Sequence, residues 1–281
     1  MGDAPLTIGE VVRRSAQYLA GVGAQSPRLD ADLVIAHALG LNRLALYTEF
    51  DRPLTTAELS AARALVARRG RREPMAYILG HKAFRRLDLE VSPAVLVPRP
   101  ETELLVEWVL ELVAPGAAVL DWGTGSGAIA LALADEGPDL VVTAIDASDD
   151  ALALARANGA RLGLTVEWCP SDGFAALRGR AFDVVAANPP YLSDAEFAAA
   201  PPELGFEPRA ALVGGPRGDE AIARIATEAG DSLRPGGAVV CEIGEHQADT
   251  ARTRFAAAGF AETQVREDLA GLPRVLMARR A

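Results

Sequence analysis

With 281 residues, half of them apolar and 23% charged, the chain is long enough for one large globular domain and a smaller one. Its net charge of −10 is unevenly spread: residues 1–98 carry 13 basic and 10 acidic side chains, whereas residues 99–281 carry 15 and 28. Phosphate neutralisation dominates nucleic-acid affinity, so an acidic C-terminal part argues against direct DNA binding. Cys169 and Cys241 lie far apart, and His37, His81 and His246 show no zinc-ligand pairing, so no metal site is expected. The N-terminus lacks a charged region followed by an apolar run, and no stretch approaches membrane-spanning length. A soluble, reducing, cytoplasmic setting is the expectation.

Residues 1–75 read as a helical domain. Thr7 is placed to cap a first helix, with Glu10 completing a capping box, and Leu29, Leu33, Val34 and Ala38 recur at helical spacing after Ser26-Pro27. Thr55 or Thr56 caps a third helix that closes on Arg68-Arg69-Gly70-Arg71-Arg72. That basic last turn suits the helix dipole and a solvated face; the sharper alternative is a docking patch for an acidic or RNA-bound partner. Residues 76–98 change character: Phe84 to Val91 alternates apolar and polar, and Pro93, Pro98 and Pro100 punctuate the stretch beyond it, which predicts a β-hairpin linker.

From residue 99 to 281, strands and helices alternate. Strands are expected at 118–121, 141–146, 164–169, 182–187, 238–243 and 274–278, with helices at 102–113, 126–135, 148–159 and 218–233. This rhythm predicts an α/β domain of Rossmann-like kind, with a mostly parallel sheet covered on both faces.

Two turns carry the chemistry. The first is Asp121-Trp122-Gly123-Thr124-Gly125-Ser126-Gly127, which leaves the first strand and opens a helix. Its glycines allow a sharp turn and close ligand approach, and Asp146, ending the second strand, is placed to accept hydrogen bonds from ribose hydroxyls. A carboxylate at Asp121 would repel a pyrophosphate and attract a sulfonium, which favours S-adenosylmethionine over a nicotinamide dinucleotide. The second turn is Asn188-Pro189-Pro190-Tyr191, after the buried run 182–187. Neither proline has an N–H, so this turn offers mostly acceptors beside an aromatic ring. That combination suits a planar –NH2 group, as on adenine, cytosine, or the side chains of Asn and Gln.

At this spacing Asp121–Gly127, Asp146 and Asn188–Tyr191 resemble a class I methyltransferase acting on amide or amino nitrogen. Further segments narrow the match: Ser26–Ala31, Tyr77–Gly80 with Phe84, Val95–Glu103, Glu207–Leu212 with Gly214-Gly215, Glu242–Gly244 and Asp268–Gly271. Together they resemble the release factor glutamine methyltransferase family, also called the HemK family, over nearly the whole chain. The resemblance implies methylation of the glutamine of the Gly-Gly-Gln motif in class 1 peptide chain release factors, with S-adenosylmethionine as cofactor, by a monomer. It implies that Asp121, Gly123, Thr124, Gly125, Ser126, Gly127, Asp146 and Gly173 bind the cofactor and that Asn188 lies between cofactor and substrate. Asn188, Pro189, Pro190 and Tyr191 would hold the glutamine, with Asn188, Pro189 and Tyr191 carrying the catalysis and Tyr191 packing on the amide plane. Relatives can carry a bulky residue where this chain has Gly173, and Trp122 replaces the usual aliphatic residue, with an effect expected on packing alone.

Three alternatives remain open at this level. A sister family methylates a glutamine of a ribosomal protein, and adenine-specific DNA methyltransferases use a similar Asn/Asp-Pro-Pro-aromatic turn. A non-catalytic module that binds release factor or RNA is disfavoured by the intact Asp121, glycine loop, Asp146 and Asn188.

Overall fold

The computed structural model describes residues 6–281, so the first five residues of the expected helical domain lie outside the described residues. The chain divides into two compact units: one runs to Gly80 and includes Pro201–Phe206, and the other comprises His81–Ala200 and Glu207–Ala281.

The smaller unit is helical: α1 (Ile8–Gly21), α2 (Pro27–Leu39), α3 (Arg43–Thr48), α4 (Thr56–Gly70) and α5 (Met75–Leu79). Thr7 and Thr55 each form a complete capping box, with Glu10 and Glu58, so two orphan donors are satisfied at each helix start. Ile8, Val12, Leu19, Ala31, Ile35 and Leu46 close its core. Of the four arginines at the end of α4, Arg71 is exposed, but the other three are engaged within the fold. Arg69 is buried and pairs with Asp30 at 2.7 Å, and Arg69 and Arg72 both hold Glu203, at 3.3 and 2.7 Å. Arg68 pairs with Glu73 at 2.5 Å. Their partners lie as far as 134 residues away in sequence, so the local pattern suggests dipole pairing and solvation instead.

The larger unit begins with the hairpin β1 (His81–Phe84) and β2 (Leu87–Glu90). The segment expected as a linker therefore divides, residues 76–79 completing α5 and the hairpin joining the larger core through Phe84, Leu87 and Leu89. Then come α6 (Thr102–Leu112), β3 (Ala118–Trp122), α7 (Ala128–Glu136), β4 (Val141–Asp146), α8 (Asp149–Leu162), β5 (Glu167–Pro170) and β6 (Phe182–Ala187). The chain ends with β7 (Leu192–Ser193), α9 (Asp194–Ala199), β8 (Val213–Gly215), α10 (Glu220–Glu228), β9 (Leu233–Glu242), α11 (Ala248–Ala257), β10 (Phe260–Glu267) and β11 (Pro273–Arg280).

Seven strands form one sheet in the order β10-β11-β9-β6-β3-β4-β5. The five strands from β9 to β5 are parallel, while β11 runs antiparallel to both β9 and β10. Strand β10 has no counterpart among the expected strands. It is an edge strand with one buried residue, Phe260, so its sequence lacks an apolar alternation. Core residues cover both faces, Leu105, Val109, Leu131 and Leu133 on one and Ile222, Ile225 and Phe255 on the other.

Strand order reverses between β3 and β6, which are neighbours. Open α/β sheets bind ligands at the carboxyl ends of the strands at such a switch point. Trp122 pairs with Ala187 at the end of this ladder, so the glycine loop and the Asn-Pro-Pro-Tyr turn leave the sheet side by side.

Asn158, on α8 and fully buried, ties the hairpin to the glycine loop. Its amide accepts from Glu90 N and donates to the carbonyls of Glu90 and Ser126, at 2.8 to 3.0 Å. Replacing Asn158 with Ala leaves three backbone groups without this partner and is expected to cost on the order of 3 kcal/mol. Urea unfolding followed by tryptophan fluorescence measures the loss.

Candidate active site

Beyond the carboxyl ends of β3, β4 and β6 lies a cavity of about 440 Å³, within the size range of small-molecule sites. Its walls include Trp122 to Ser126 of the glycine loop, Asp146, Ser171 to Gly173, Asn188 and Pro190, with Arg99 and Thr102 at the start of α6.

The glycine loop is held at its back. Gly123 N and Thr124 N donate to the Ile145 carbonyl, and Gly125 N donates to Asp146 Oδ2 at 2.9 Å. Gly123 and Gly125 have φ of +75° and +54°, and a Cβ on either would project into open space with nothing within 4 Å. The loop thus presents bare backbone to the cavity. Gly127 differs, because its φ is +85° and a Cβ there would press on Leu131, Trp168 and Ala155. It serves packing and does not line the cavity.

Asp121 also lies outside the cavity lining. It is fully buried, and its Oδ2 accepts from the Thr124 hydroxyl at 2.6 Å and Ala130 N at 3.1 Å. Oδ1 has no hydrogen-bond partner among the described residues. Burial is the main cause that pushes its pKa up to about 7; the two hydrogen bonds oppose the rise and Asp146 adds to it. Asp146 is half-buried and lines the cavity, its carboxylate accepting, among the described residues, from Gly125 N and Ser148 N. Each carboxylate oxygen therefore keeps a free acceptor site. Gly173 lines the cavity with φ of +60°, where a side chain would be strained and would meet the Arg224 guanidinium. Trp122 forms part of the wall, and its indole N–H has no partner among the described residues.

The second turn is positioned by close backbone approach. A Cβ at Gly214 would fall on the Pro190 carbonyl oxygen, and one at Gly218 would lie 2.6 Å from the Tyr191 carbonyl oxygen. Gln247 Nε2 donates to that same Tyr191 carbonyl at 2.9 Å. Asn188 and Pro190 line the cavity, while Pro189 and Tyr191 do not. Tyr191, expected from its place in the motif to pack on the amide plane, thus stands beside the cavity and not in its wall. Its hydroxyl lies 3.5 Å from the buried carboxylate of Glu242, and burial followed by that charge raises its pKa.

Four residues that border the site have no role assigned from sequence. Thr102 donates to Glu242 Oε2 at 2.6 Å and accepts from Asn188 Nδ2 at 3.1 Å. Buried Glu207 accepts from Val97 N at 3.0 Å and from Arg99 at 2.5 Å, fixing the segment that leads into α6. One signal was available: Glu242 ends a buried strand, as Asp146 does and Asp121 nearly does. Among the described residues no His, Cys, Asp and Glu cluster forms a metal-ion site, and no helix is long and apolar enough to cross a membrane.

Comparison with known proteins agrees with this layout. Residues 10–80 match the model of the PrmC N-terminal domain and residues 100–201 that of the methyltransferase small domain. A release factor glutamine methyltransferase of Geobacter sulfurreducens is 42% identical over 97% of this chain and 96% of its own length. The chain belongs to the release factor glutamine methyltransferase family. A family member from Burkholderia pseudomallei is 44% identical over 88% of this chain and 90% of its own. A methyltransferase structure from Pyrococcus furiosus, 23% identical, superposes with a TM-score of 0.56 over 71% of this chain and 92% of its own, which shows the class I methyltransferase fold.

A carboxyl group whose folded pKa lies above its unfolded value makes the folded state bind more protons. Stability from Asp121 is therefore greatest at acid pH and falls as pH rises from about 4 toward about 7. Asp121→Asn keeps the oxygen that faces Thr124 and Ala130 and removes the buried charge. Its melting temperature relative to wild type is expected to be higher at pH 8 than at pH 5, by differential scanning fluorimetry without ligand. Equal differences at both pH values would show that this carboxylate does not carry the penalty.

Proposed function

We propose that this protein transfers a methyl group from S-adenosylmethionine to the side-chain amide nitrogen of the glutamine in the Gly-Gly-Gln motif of class 1 peptide chain release factors. The observation that carries the reading is the orientation of Asn188. Its Nδ2 is engaged by Thr102, so Oδ1 is the end left for a ligand, on a residue that lines the cavity. Family membership supplies the substrate class, since geometry alone speaks only of an –NH2 group.

The cavity residues fit the cofactor. Gly123 and Gly125 leave open the space their Cβ atoms would take, Asp146 keeps acceptor sites suited to ribose hydroxyls, and Asp121 has one oxygen without a partner. When bound, S-adenosylmethionine supplies a methyl group activated by its positive sulfur. Gly123 to Ser126, Asp146 and the backbone at Gly173 hold it, and Asp121 contributes negative charge from behind Thr124 at whatever pH it is ionised.

An amide nitrogen is a weak nucleophile because its lone pair is delocalised into the carbonyl. The protein's contribution is therefore placement. Asn188 Oδ1, in the cavity wall, accepts one N–H of the substrate amide, and the carbonyl of Pro189, next in the turn but outside that wall, accepts the other, which directs the nitrogen toward the cavity and raises its electron density. Placement of this kind is worth about 7–11 kcal/mol in well-oriented reactions. The nitrogen loses a proton to water after transfer, so no dedicated base is required. Tyr191 supports the turn through the contact of its hydroxyl with Glu242. The helical unit acts as the recognition domain for the intact release factor, and the reaction is cytoplasmic.

The decisive experiment is mass spectrometry of the Gly-Gly-Gln peptide of a release factor incubated with the enzyme and cofactor, beside a ribosomal protein and DNA as alternative acceptors. A gain of one methyl group on the glutamine is expected in the release factor; label on either alternative acceptor alone would overturn the assignment. Asn188→Ala should lower kcat on the order of a hundredfold with cofactor affinity unchanged. Asp146→Ala should weaken cofactor binding roughly tenfold or more by calorimetry.

A further inference from the structure

The hydrogen bonds behind Asn188 form a directed chain. Glu242 ends β9, 1% exposed and outside the cavity lining, and its Oε2 accepts the Thr102 hydroxyl at 2.6 Å. A hydroxyl has a single proton, and Glu242, in its ionised form, is a strong, charge-assisted acceptor for it. With that proton committed, Thr102 turns only lone pairs toward Asn188. Of the two ends of a carboxamide, NH2 suits such a neighbour and oxygen does not, which accounts for the 3.1 Å contact from Asn188 Nδ2. Without the carboxylate, Thr102 would be free to donate, and the reversed amide would be equally well bonded.

We propose that Thr102 and Glu242 are positioning residues for methyl transfer, setting the polarity of the Asn188 amide so that its oxygen and not its NH2 group meets the substrate. This rests on the reading that Asn188 Oδ1 grips the glutamine amide. A reversed Asn188 would oppose NH2 to the substrate NH2, donor against donor, and abolish the grip while leaving the cavity shape intact. Further groups surround Glu242: Tyr191 from the turn at 3.5 Å, with Arg274 from β11 and Glu101 before α6 adding opposing charge effects. Thr102 and Glu242 are 140 residues apart in sequence, on elements that meet through α6 and β9. The link between the two strand ends and the helix start is thus a product of the fold, with no local motif to announce it.

The test uses the full-length enzyme with release factor and cofactor. Thr102→Val removes the hydroxyl at nearly constant shape and should lower kcat roughly tenfold to a hundredfold, with cofactor Kd within about twofold of wild type. Thr102→Ser restores the hydroxyl and should recover most of the rate. In an Asn188→Ala background, Thr102→Val should cost nothing more, because the group it orients is gone. Glu242→Gln, which no longer commits the hydroxyl by charge, should fall between the Ser and Val variants. A fully active Thr102→Val, an additive loss in the Asn188→Ala background, or parallel losses of rate and cofactor affinity would overturn the proposal. Wild-type rate in Glu242→Gln would remove Glu242 from it. Should Thr102→Val fail to fold, Thr102→Ala lacks the same hydroxyl and is judged by the same outcomes. Wild-type enzyme that leaves release factor unmethylated would overturn the substrate reading and this proposal with it, whereas an active wild type beside a fully active Thr102→Val overturns this proposal alone.

Discussion

The pairing of β3 with β6 is the constraint on which the site depends. These strands are neighbours where the sheet order reverses, and their ladder ends with Trp122 opposite Ala187. The next residues, Gly123 and Asn188, therefore leave the sheet at the same level. A slip of one residue would turn every side chain of one strand to the opposite face and separate the glycine loop from the acceptor turn. Val119, Leu120, Val184 and Val185 are buried in this ladder, so the register is fixed by the core and not by the site.

Holding two irregular turns beside each other calls for polar groups in places water cannot reach. Asp121 and Glu242 are both buried carboxylates pushed up to about 7, each with burial as the main cause. Both sit just where a strand gives way to a loop: Asp121 anchors Thr124 and the start of α7, and Glu242 anchors Thr102 at the start of α6. An apolar residue at either point would be cheaper to bury, as replacement of buried ionic groups generally shows. Their retention is consistent with a site organised at some cost in stability. Glycines solve the complementary problem on the other side of the turn, where Gly214 and Gly218 let two backbones approach closer than any Cβ permits.

How much of this was legible in the sequence depends on how local each feature is. The capping box at Thr7 spans four residues and could be read directly, whereas at the later helix the sequence left the cap between Thr55 and Thr56. The buried parallel strands declared themselves as apolar runs, as did the strand–turn–helix context of the glycine loop. Edge strand β10 did not, because burial of Phe260 alone leaves no pattern. Arg69 and Arg72 looked like a solvated helix end because Glu203, which they hold, comes after the acceptor turn, more than 130 residues later. Tyr191, from its place in the motif, reads as a cover for the bound amide. The contact of its hydroxyl with Glu242, 51 residues on, is one that no local rule predicts.

Amide chemistry explains why the cavity needs so few reactive groups. Arg99, Asp146 and Asp172 are the ionisable residues in its wall, and Arg99 and Asp172 are engaged with Glu207 and Arg224. Its lining has no His, Cys or Lys, and the hydroxyls that meet a carboxylate, Thr124 on Asp121 and Thr102 on Glu242, are tied into structural contacts with the start of α7 and with Asn188. A reaction that joins an activated methyl group to a neutral nitrogen has its electrophile supplied; what remains is to hold the nitrogen and exclude competitors. In the proposed reading a turn rich in acceptors does both, since a substrate hydroxyl has one proton to offer two acceptors whereas a carboxamide has two. Selection among amides cannot come from that turn, because every glutamine presents the same group. Discrimination between protein substrates therefore has to be exercised at a distance from the transferred methyl, which is the ground for proposing the separate helical unit, with its own core, as the recognition domain.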